Sequence, residues 1–198
     1  MLHGEGLEEI WEEFKQEMGL VMDFLELVGL KELREEIRLF RPLAMIRDEV
    51  GPVRRAVKEF TDKLYNVSLP LLLVFSVSCL EKFLRRLWLL KFGSIDKKMW
   101  RIFNELKDFA KEVRRRYGVE VGESTFKARA VVAKRNIILH NNGIVDQKAL
   151  EAFIEAGKQD SQLGQRLKLS VEEVRRDINT ILEFAERVKE IFDSSLSH

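Results

Sequence analysis

Apolar residues recur along most of the chain at the three- and four-residue spacing of α-helices, and no stretch alternates convincingly as a half-buried strand would. The first such segment, residues 7–28, is acidic on one side. Its apolar positions are Leu7, Ile10, Trp11, Phe14, Met18, Val21, Phe24 and Leu25. Two further helical segments, residues 30–40 and 52–65, follow it. We therefore expect an all-α protein in which residues 1–66 form an N-terminal helical extension.

The rest of the chain, residues 67–195, is predicted to form one helical domain. Ser68 can cap its first helix with Pro70 in the first turn, and Ser170 with Glu173 makes a capping box for the last. The predicted helices cover residues 68–92, 95–117, 123–141, 146–157 and 170–193. Residues 158–168 are polar and are predicted to form a loop that can line a cleft.

Composition excludes several classes of site. The single cysteine, Cys79, excludes an intramolecular disulfide framework and a zinc site of clustered cysteines, and its apolar neighbours predict a small buried residue. The chain contains no glycine-rich phosphate loop, dinucleotide fingerprint, paired-histidine metal motif or serine nucleophile elbow. We therefore expect neither a cofactor nor a metal.

Hydropathy predicts a protein without a membrane segment. The apolar run of residues 69–80 is too short to span a bilayer, and Glu81 and Lys82 end it. The N-terminus becomes acidic almost at once, unlike a signal peptide. A cytoplasmic location is the simplest expectation.

Charge is unevenly distributed, although the net charge is only +1. Residues 1–36 carry eleven acidic and three basic side chains, whereas residues 82–135 carry sixteen basic and six acidic. A basic segment of this kind is what a polyanion such as RNA would contact, although the run 114–116 can equally be the solvated end of a helix. The candidate RNA-binding residues are Arg114, Arg115, Lys127, Arg129, Lys134 and Asn141. The acidic first helix either folds over this basic surface and restrains it or has only a packing role.

The candidate chemistry lies in residues 134–143, which contain the only histidine away from the termini. Arg129, Asn136 and His140 recur on one stripe of the predicted helix, and Arg135 lies about 100° from Asn136. The apolar stripe of the same helix is expected to be buried and consists of Phe126, Ala130, Ala133 and Ile137. Asn142 and Gly143 then end the helix, because these residue types tolerate the left-handed conformation.

An imidazole beside a permanently charged guanidinium suits phosphoryl chemistry. His140 can move a proton, Arg135 can hold the phosphate charge, and Asn136 can orient the ring or contact a ribose. The alternative is that His140 is a polar cap and Arg135 a solvated or ion-paired surface residue.

Arg135-Asn136 followed by His140-Asn141-x-Gly143 resembles the Arg-x(4–6)-His motif of the HEPN superfamily. Upstream, residues 77–84 resemble the apolar helix with an embedded glutamate that opens such domains. Downstream, the leucine- and glycine-containing residues 163–169 precede a long final helix, so the resemblance spans residues 67–195.

The resemblance implies an all-helical homodimer in which two motifs face each other to form a metal-independent endoribonuclease site of the toxin or defence type. Arg135 would stabilise the transition state, and His140 would serve as general base or acid for attack by the RNA 2′-OH. Asn136 would take the polar position after the arginine. Glu81 would be either part of the site or an ion-pair partner.

The resemblance also implies a possible antitoxin or other regulatory protein as a partner. Some HEPN-like domains are non-catalytic, so the alternative is a helical scaffold that binds nucleotide, nucleic acid or a protein.

Overall fold

The computed structural model describes residues 6–29, 50–103, 105–158 and 160–196. This part of the chain contains seven α-helices and no strand, so the all-α prediction is confirmed. The helices are α1 Leu7–Gly29, α2 Val50–Phe92, α3 Lys97–Ile102, α4 Leu106–Tyr117, α5 Ser124–His140, α6 Gln147–Glu155 and α7 Val171–Leu196. The helix predicted over residues 30–40 lies outside the described residues.

The helices α1, α2 and α7 pack together around the main core. The buried residues of α1 are Leu7, Ile10, Phe14, Met18, Val21 and Leu25, which is most of the stripe predicted from its periodicity. Phe14 stacks on Phe83 of α2 with ring centroids 4.6 Å apart. Phe24 was expected in this stripe, but it is exposed together with Leu20 and Leu27, because α1 packs through one side only.

Carboxylates of α1 also pair with cations of α2. The Lys82 ammonium donates to Glu13 and Glu17, each at 2.6 Å, and the Arg86 guanidinium donates to Glu13 at 2.5 Å. The acidic helix therefore meets part of the basic segment, and its apolar stripe gives it the packing role that was the alternative expectation.

The helix predicted to begin at Ser68 instead runs without interruption from Val50 to Phe92, so Ser68 is not an N-cap. Pro70 lies inside α2 and has no N–H to donate to the carbonyl of Asn66. Burial of the apolar run, including Leu69 and Leu73, outweighs this local cost. The division of the chain at residue 66 stays a prediction.

By length and composition alone, part of α2, Asn66–Phe92, could cross a membrane. The sequence analysis considered only the shorter run of residues 69–80, which is too short to do so. Of the apolar 18-residue window in Asn66–Phe92, 56% is buried inside the structure, so this segment serves here as a core helix of the bundle. Cys79 lies in this segment and is buried as predicted, and the loss of hydration raises the pKa of its thiol to about 12.

The single helix expected over residues 95–117 is two helices, α3 and α4, with a break after Ile102. The break lets Phe103 and Phe109 both reach Trp88, with ring centroids 6.2 and 6.4 Å away. In a straight helix, residues six positions apart would point about 120° apart. Aromatic packing therefore favours the break, although no glycine or proline marks it.

A second, smaller core joins α5 to α6 and consists of Ala130, Ile137, Val145, Ala149 and Phe153. Phe126 was expected to share this buried face but is partly exposed, because the face is covered only from Ala130 onward. The predicted capping box of the last helix is confirmed. The Ser170 amide donates to the Glu173 carboxylate and the Glu173 amide donates to Ser170 Oγ, both at 3.1 Å.

Candidate functional site

The helix α5 ends at His140, one residue before the predicted end at Asn141 and directly before the predicted stop at Asn142 and Gly143. Asn142 and Gly143 adopt left-handed backbone conformations, with φ of 52° and 74°. The Gly143 amide donates to the Ile137 carbonyl at 2.8 Å, which satisfies a carbonyl of the last turn. Asn141 fixes the same turn, because its Nδ2 donates to the Ile144 carbonyl at 2.6 Å.

Arg135 leaves α5 toward α2, where its guanidinium donates to the Glu81 carboxylate. Both side chains are only 13% exposed. The guanidinium of Arg85, which lies over the Trp100 ring at 4.4 Å, is 3.9 Å from the second Glu81 oxygen. Burial raises the pKa of Glu81, and the two arginine cations oppose this effect. Glu81 is therefore an ion-pair partner of the candidate catalytic arginine.

The guanidinium of Arg135 is not saturated by this pair. Its Nε atom is buried and has no hydrogen-bond partner among the residues that the structure describes. The guanidinium thus has one unpaired donor, and this donor faces the interior and not the solvent.

His140 and Asn136 both lie away from the side of α5 that carries Arg135. The His140 side chain is exposed at the last residue of the helix, and five residues of α-helix place it about 140° around the axis from Arg135. Asn136 and Arg129 line a cleft between α5 and α6, close to Asp146. Within one chain, the helix geometry therefore keeps Arg135 from converging with Asn136 and His140.

The five cations predicted to contact RNA all have carboxylate partners. Their pairs are Arg114–Glu120 at 2.7 Å, Arg115–Glu112 at 2.5 Å, Lys127–Glu123 at 3.0 Å, Lys134–Asp177 at 2.5 Å, and Arg129–Glu155. Hydrogen bonds from Arg115 and then Arg116 lower the pKa of Glu112 to about 2. Carboxylates of the same chain thus neutralise these five cations of the basic segment.

Lys134 differs from the other four because its side chain is only 4% exposed. Its partner Asp177 lies on α7, so the pair joins α5 to α7. The Lys158 ammonium is 3.8 Å from the other Asp177 oxygen, and burial together with the Lys134 charge lowers the pKa of Lys158. In this structure the Lys134 ammonium faces Asp177 and not the surface.

An extended segment beside the motif carries two cations that the sequence analysis did not single out. Arg166 pairs with Ile144 in an isolated antiparallel bridge, and the Leu167 amide donates to the Gly143 carbonyl at 2.7 Å. Lys168 follows and, like Arg166, is exposed. The alternation of basic residues with leucine in residues 166–169 is the signal that could have identified them.

In the described ranges, no three His, Cys, Asp or Glu side chains are grouped so that they could hold a metal ion. The candidate site consists of the Glu81–Arg135 pair, the exposed imidazole of His140 and the turn after it. Comparison of the chain with protein-family models, with curated proteins and with solved structures finds no match.

Proposed function

We propose that this chain is a metal-independent endoribonuclease of the HEPN toxin or defence type. The observation that carries the proposal is the anchoring of Arg135 on Glu81, while the imidazole of His140 stands exposed at the end of the same helix. A fixed cation and a solvent-accessible proton carrier are the two groups that RNA cleavage by the 2′-OH requires.

In the proposed reaction, His140 takes the proton of the 2′-OH, and the 2′ oxygen attacks the adjacent phosphorus. The bond from phosphorus to the 5′ oxygen breaks, the leaving oxygen takes a proton from water, and His140 gives its proton to the resulting hydroxide. The products are a 2′,3′-cyclic phosphate and a 5′-OH end. Arg135 stabilises the negative charge that develops on the phosphate, Glu81 fixes the guanidinium, and Asn136 contacts a ribose from the adjacent cleft.

Because Arg135 and His140 point in different directions, the proposed site is composite and needs two chains. Leu139 follows Arg135 by one helical turn and is 51% exposed. Leu71 and Phe75 on α2 are also exposed. These apolar side chains support a homodimer that brings Arg135 of one chain to His140 of the other, with RNA as substrate. An antitoxin or other regulatory partner and a cytoplasmic location belong to the same proposal.

One observation favours the second candidate, a non-catalytic helical scaffold that binds nucleotide, nucleic acid or protein. Glu81 neutralises Arg135, and carboxylates also neutralise the cations predicted to contact RNA. A scaffold needs only shape and charge, whereas the enzyme needs His140 to carry a proton.

The test is RNA cleavage in chelator without added metal, using mixed structured and unstructured RNA. Wild type is compared with Arg135→Ala, His140→Ala and the control Arg187→Ala, which removes an exposed arginine paired with Glu190 on α7. Cleavage leaving 2′,3′-cyclic ends that only the two motif variants abolish supports the enzyme. Intact RNA with every folded, dimeric variant rejects it in favour of the scaffold.

A further inference from the structure

A groove opens where α5 ends, between the turn after His140 and α2. Its polar lining comes from three segments that are distant in sequence. The lining residues on which the argument depends are Asn66, Pro70, Asn142, Gly143, Arg166 and Lys168. We call this feature the motif-end groove.

The extended segment of residues 166–169 forms one wall of the motif-end groove. Leu167 packs on the smaller core and Leu169 on the main core, whereas Arg166 and Lys168 are exposed. Residues two apart in an extended chain lie on the same side and about 6.6 Å apart. The backbone bridge from Arg166 to Ile144 holds both cations at a fixed distance from the end of the motif helix.

The charges of Arg166 and Lys168 are available to a ligand. Among the residues that the structure describes, neither has a carboxylate within ion-pair distance, in contrast to the five cations predicted from the sequence. Among the described helices, the positive charge of this face is therefore not used in ion pairs.

The other wall of the groove offers hydrogen-bonding groups. Pro70 has no N–H, so the Asn66 carbonyl lacks its usual donor within α2. The amide side chains of Asn66 and Asn142 lie in the same lining. Carbonyl and amide groups can bind ribose hydroxyls and base edges, which an acidic protein segment does not present.

The helices α2 and α5 run antiparallel, because Glu81 meets Arg135 while Leu69 and Asn142 share the groove. Ile138 of α5 also lines the groove and lies only about 60° around the helix axis from Arg135, so the groove opens on the Arg135 side of α5. A strand whose phosphate is at Arg135 would continue along this side of α5 into the groove.

We propose that the motif-end groove is an RNA-binding subsite in which Arg166 and Lys168 contact backbone phosphates next to the bond that is cleaved. This inference rests on the proposed function and names a binding site within it. The ligand class is single-stranded RNA, since phosphates meet the two cations and ribose hydroxyls meet the acceptors on α2.

The experiment measures binding of a fluorescently labelled single-stranded RNA by anisotropy, in chelator and over a salt series. All proteins carry His140→Ala so that the RNA stays intact. The double variant Arg166→Gln with Lys168→Gln is compared with Arg187→Ala plus Lys15→Ala, which removes two exposed cations paired within other helices. A third protein, Arg166→Lys with Lys168→Arg, keeps both charges, so loss of affinity from misfolding is distinguishable from loss of charge.

We expect the Gln double variant to bind RNA about tenfold more weakly, with the slope of log affinity against log salt reduced by about 1.4. The charge-keeping double variant and the control should stay within about twofold of the parent. Equal affinity of the Gln variant and the control overturns the subsite, as does competition by polyglutamate as effective as that by unlabelled RNA.

RNA cleavage, measured in proteins that keep His140, distinguishes failure of the subsite from failure of the proposed function. If wild type cleaves RNA while the Gln variant binds it normally, the subsite is wrong and the ribonuclease stands. If the Gln double variant loses binding but wild type never cleaves, RNA binding by the motif-end groove stands, and its place beside a cleaved bond fails together with the catalytic proposal. If wild type neither binds nor cleaves RNA, both fail.

Discussion

Arg135 and Glu81, 54 positions apart in the sequence, form an ion pair that joins α5 to α2. The pair gives the candidate catalytic arginine a fixed orientation but also a counter-charge. The two effects have opposite consequences for RNA: a fixed guanidinium favours the transition state, whereas a neutralised one weakens ground-state binding.

Glu81→Gln should separate these effects. We expect RNA cleavage to fall by about tenfold to a hundredfold, because Arg135 loses its charged anchor, while RNA affinity stays equal or rises. Single-turnover cleavage and anisotropy measure the two quantities. Glu17→Gln, which removes a carboxylate that pairs with Lys82 away from the motif, is the matched control and should leave both near wild type. Unchanged cleavage in Glu81→Gln would show that Arg135 does not need its partner.

Mixing two inactive variants should restore activity if the site is composite. When Arg135→Ala and His140→Ala chains are unfolded and refolded together, the mixed dimer contains one site with both wild-type residues. A two-fold dimer contains two Arg135–His140 pairs between chains, half of the dimers are mixed and each mixed dimer keeps one intact pair, so we expect about a quarter of wild-type cleavage. Each variant refolded alone is the control. No recovery in a mixture shown to contain mixed dimers would place Arg135 and His140 of one chain in the same site.

The buried pair Lys134–Asp177 should contribute strongly to stability. Lys134→Ala leaves the Asp177 carboxylate buried with only the more distant Lys158, so we expect a loss of about 3 kcal/mol in the free energy of unfolding. Lys127→Ala, which removes an exposed lysine paired with Glu123 at the N-cap of α5, should cost under about 0.5 kcal/mol. Urea denaturation measures both values.

An apolar replacement of the whole pair tests the same point. Lys134→Met combined with Asp177→Leu should be more stable than Lys134→Ala alone, since it leaves no uncompensated charge in the interior. Equal losses for the single and double variants would indicate that packing, and not charge burial, sets the cost.

Stability should depend on pH through Glu112. Its pKa is about 2 in the folded protein against 4.5 for the ordinary group, because Arg115 and Arg116 donate to the carboxylate. A lowered pKa contributes stability above pH 4.5 that is lost as pH falls toward 2. Glu112→Gln should therefore cost about 1 kcal/mol at pH 7, a value limited by the exposure of the arginines, and nearly nothing at pH 2.

The control for this prediction is Glu120→Gln, which removes the exposed partner of Arg114. Its cost should stay under about 0.5 kcal/mol at pH 7. Urea midpoints measured from pH 7 to pH 2.5 provide the comparison. A Glu112→Gln deficit that persists at the lowest pH would contradict the assigned cause.

Local signals predicted local structure well. The capping box of Ser170 and Glu173 and the stop at Asn142 and Gly143 depend only on neighbouring residues, and both are confirmed. The predicted start of α2 at Ser68 was wrong. Ser68 and Pro70 are residue types typical of a helix beginning, but long-range burial keeps the helix continuous through them.

The site was less predictable than the helices. Periodicity placed Arg129 and Asn136 on one face, and the structure confirms that they share a cleft. Periodicity carries no information on which helix packs against α5. Neither the contact of Arg135 with Glu81 nor the burial of Lys134 could therefore be predicted from spacing. The resemblance supplied Glu81 as a candidate. Arg166 was missed because its significance depends on a bridge to Ile144 across the turn.

The packing of α1 against α7 has a consequence for synthesis of the chain. Glu26 meets Arg175 and Glu8 meets Lys189, contacts that span 149 and 181 residues of sequence. A ribosome adding about 5–20 residues per second makes α1 roughly 7–36 s before α7. During that interval the part of α1 that packs on α7 is uncovered on the nascent chain. The main core is therefore completed only after α7 has been made, and of the described helices α1 offers a chaperone the longest opportunity to bind.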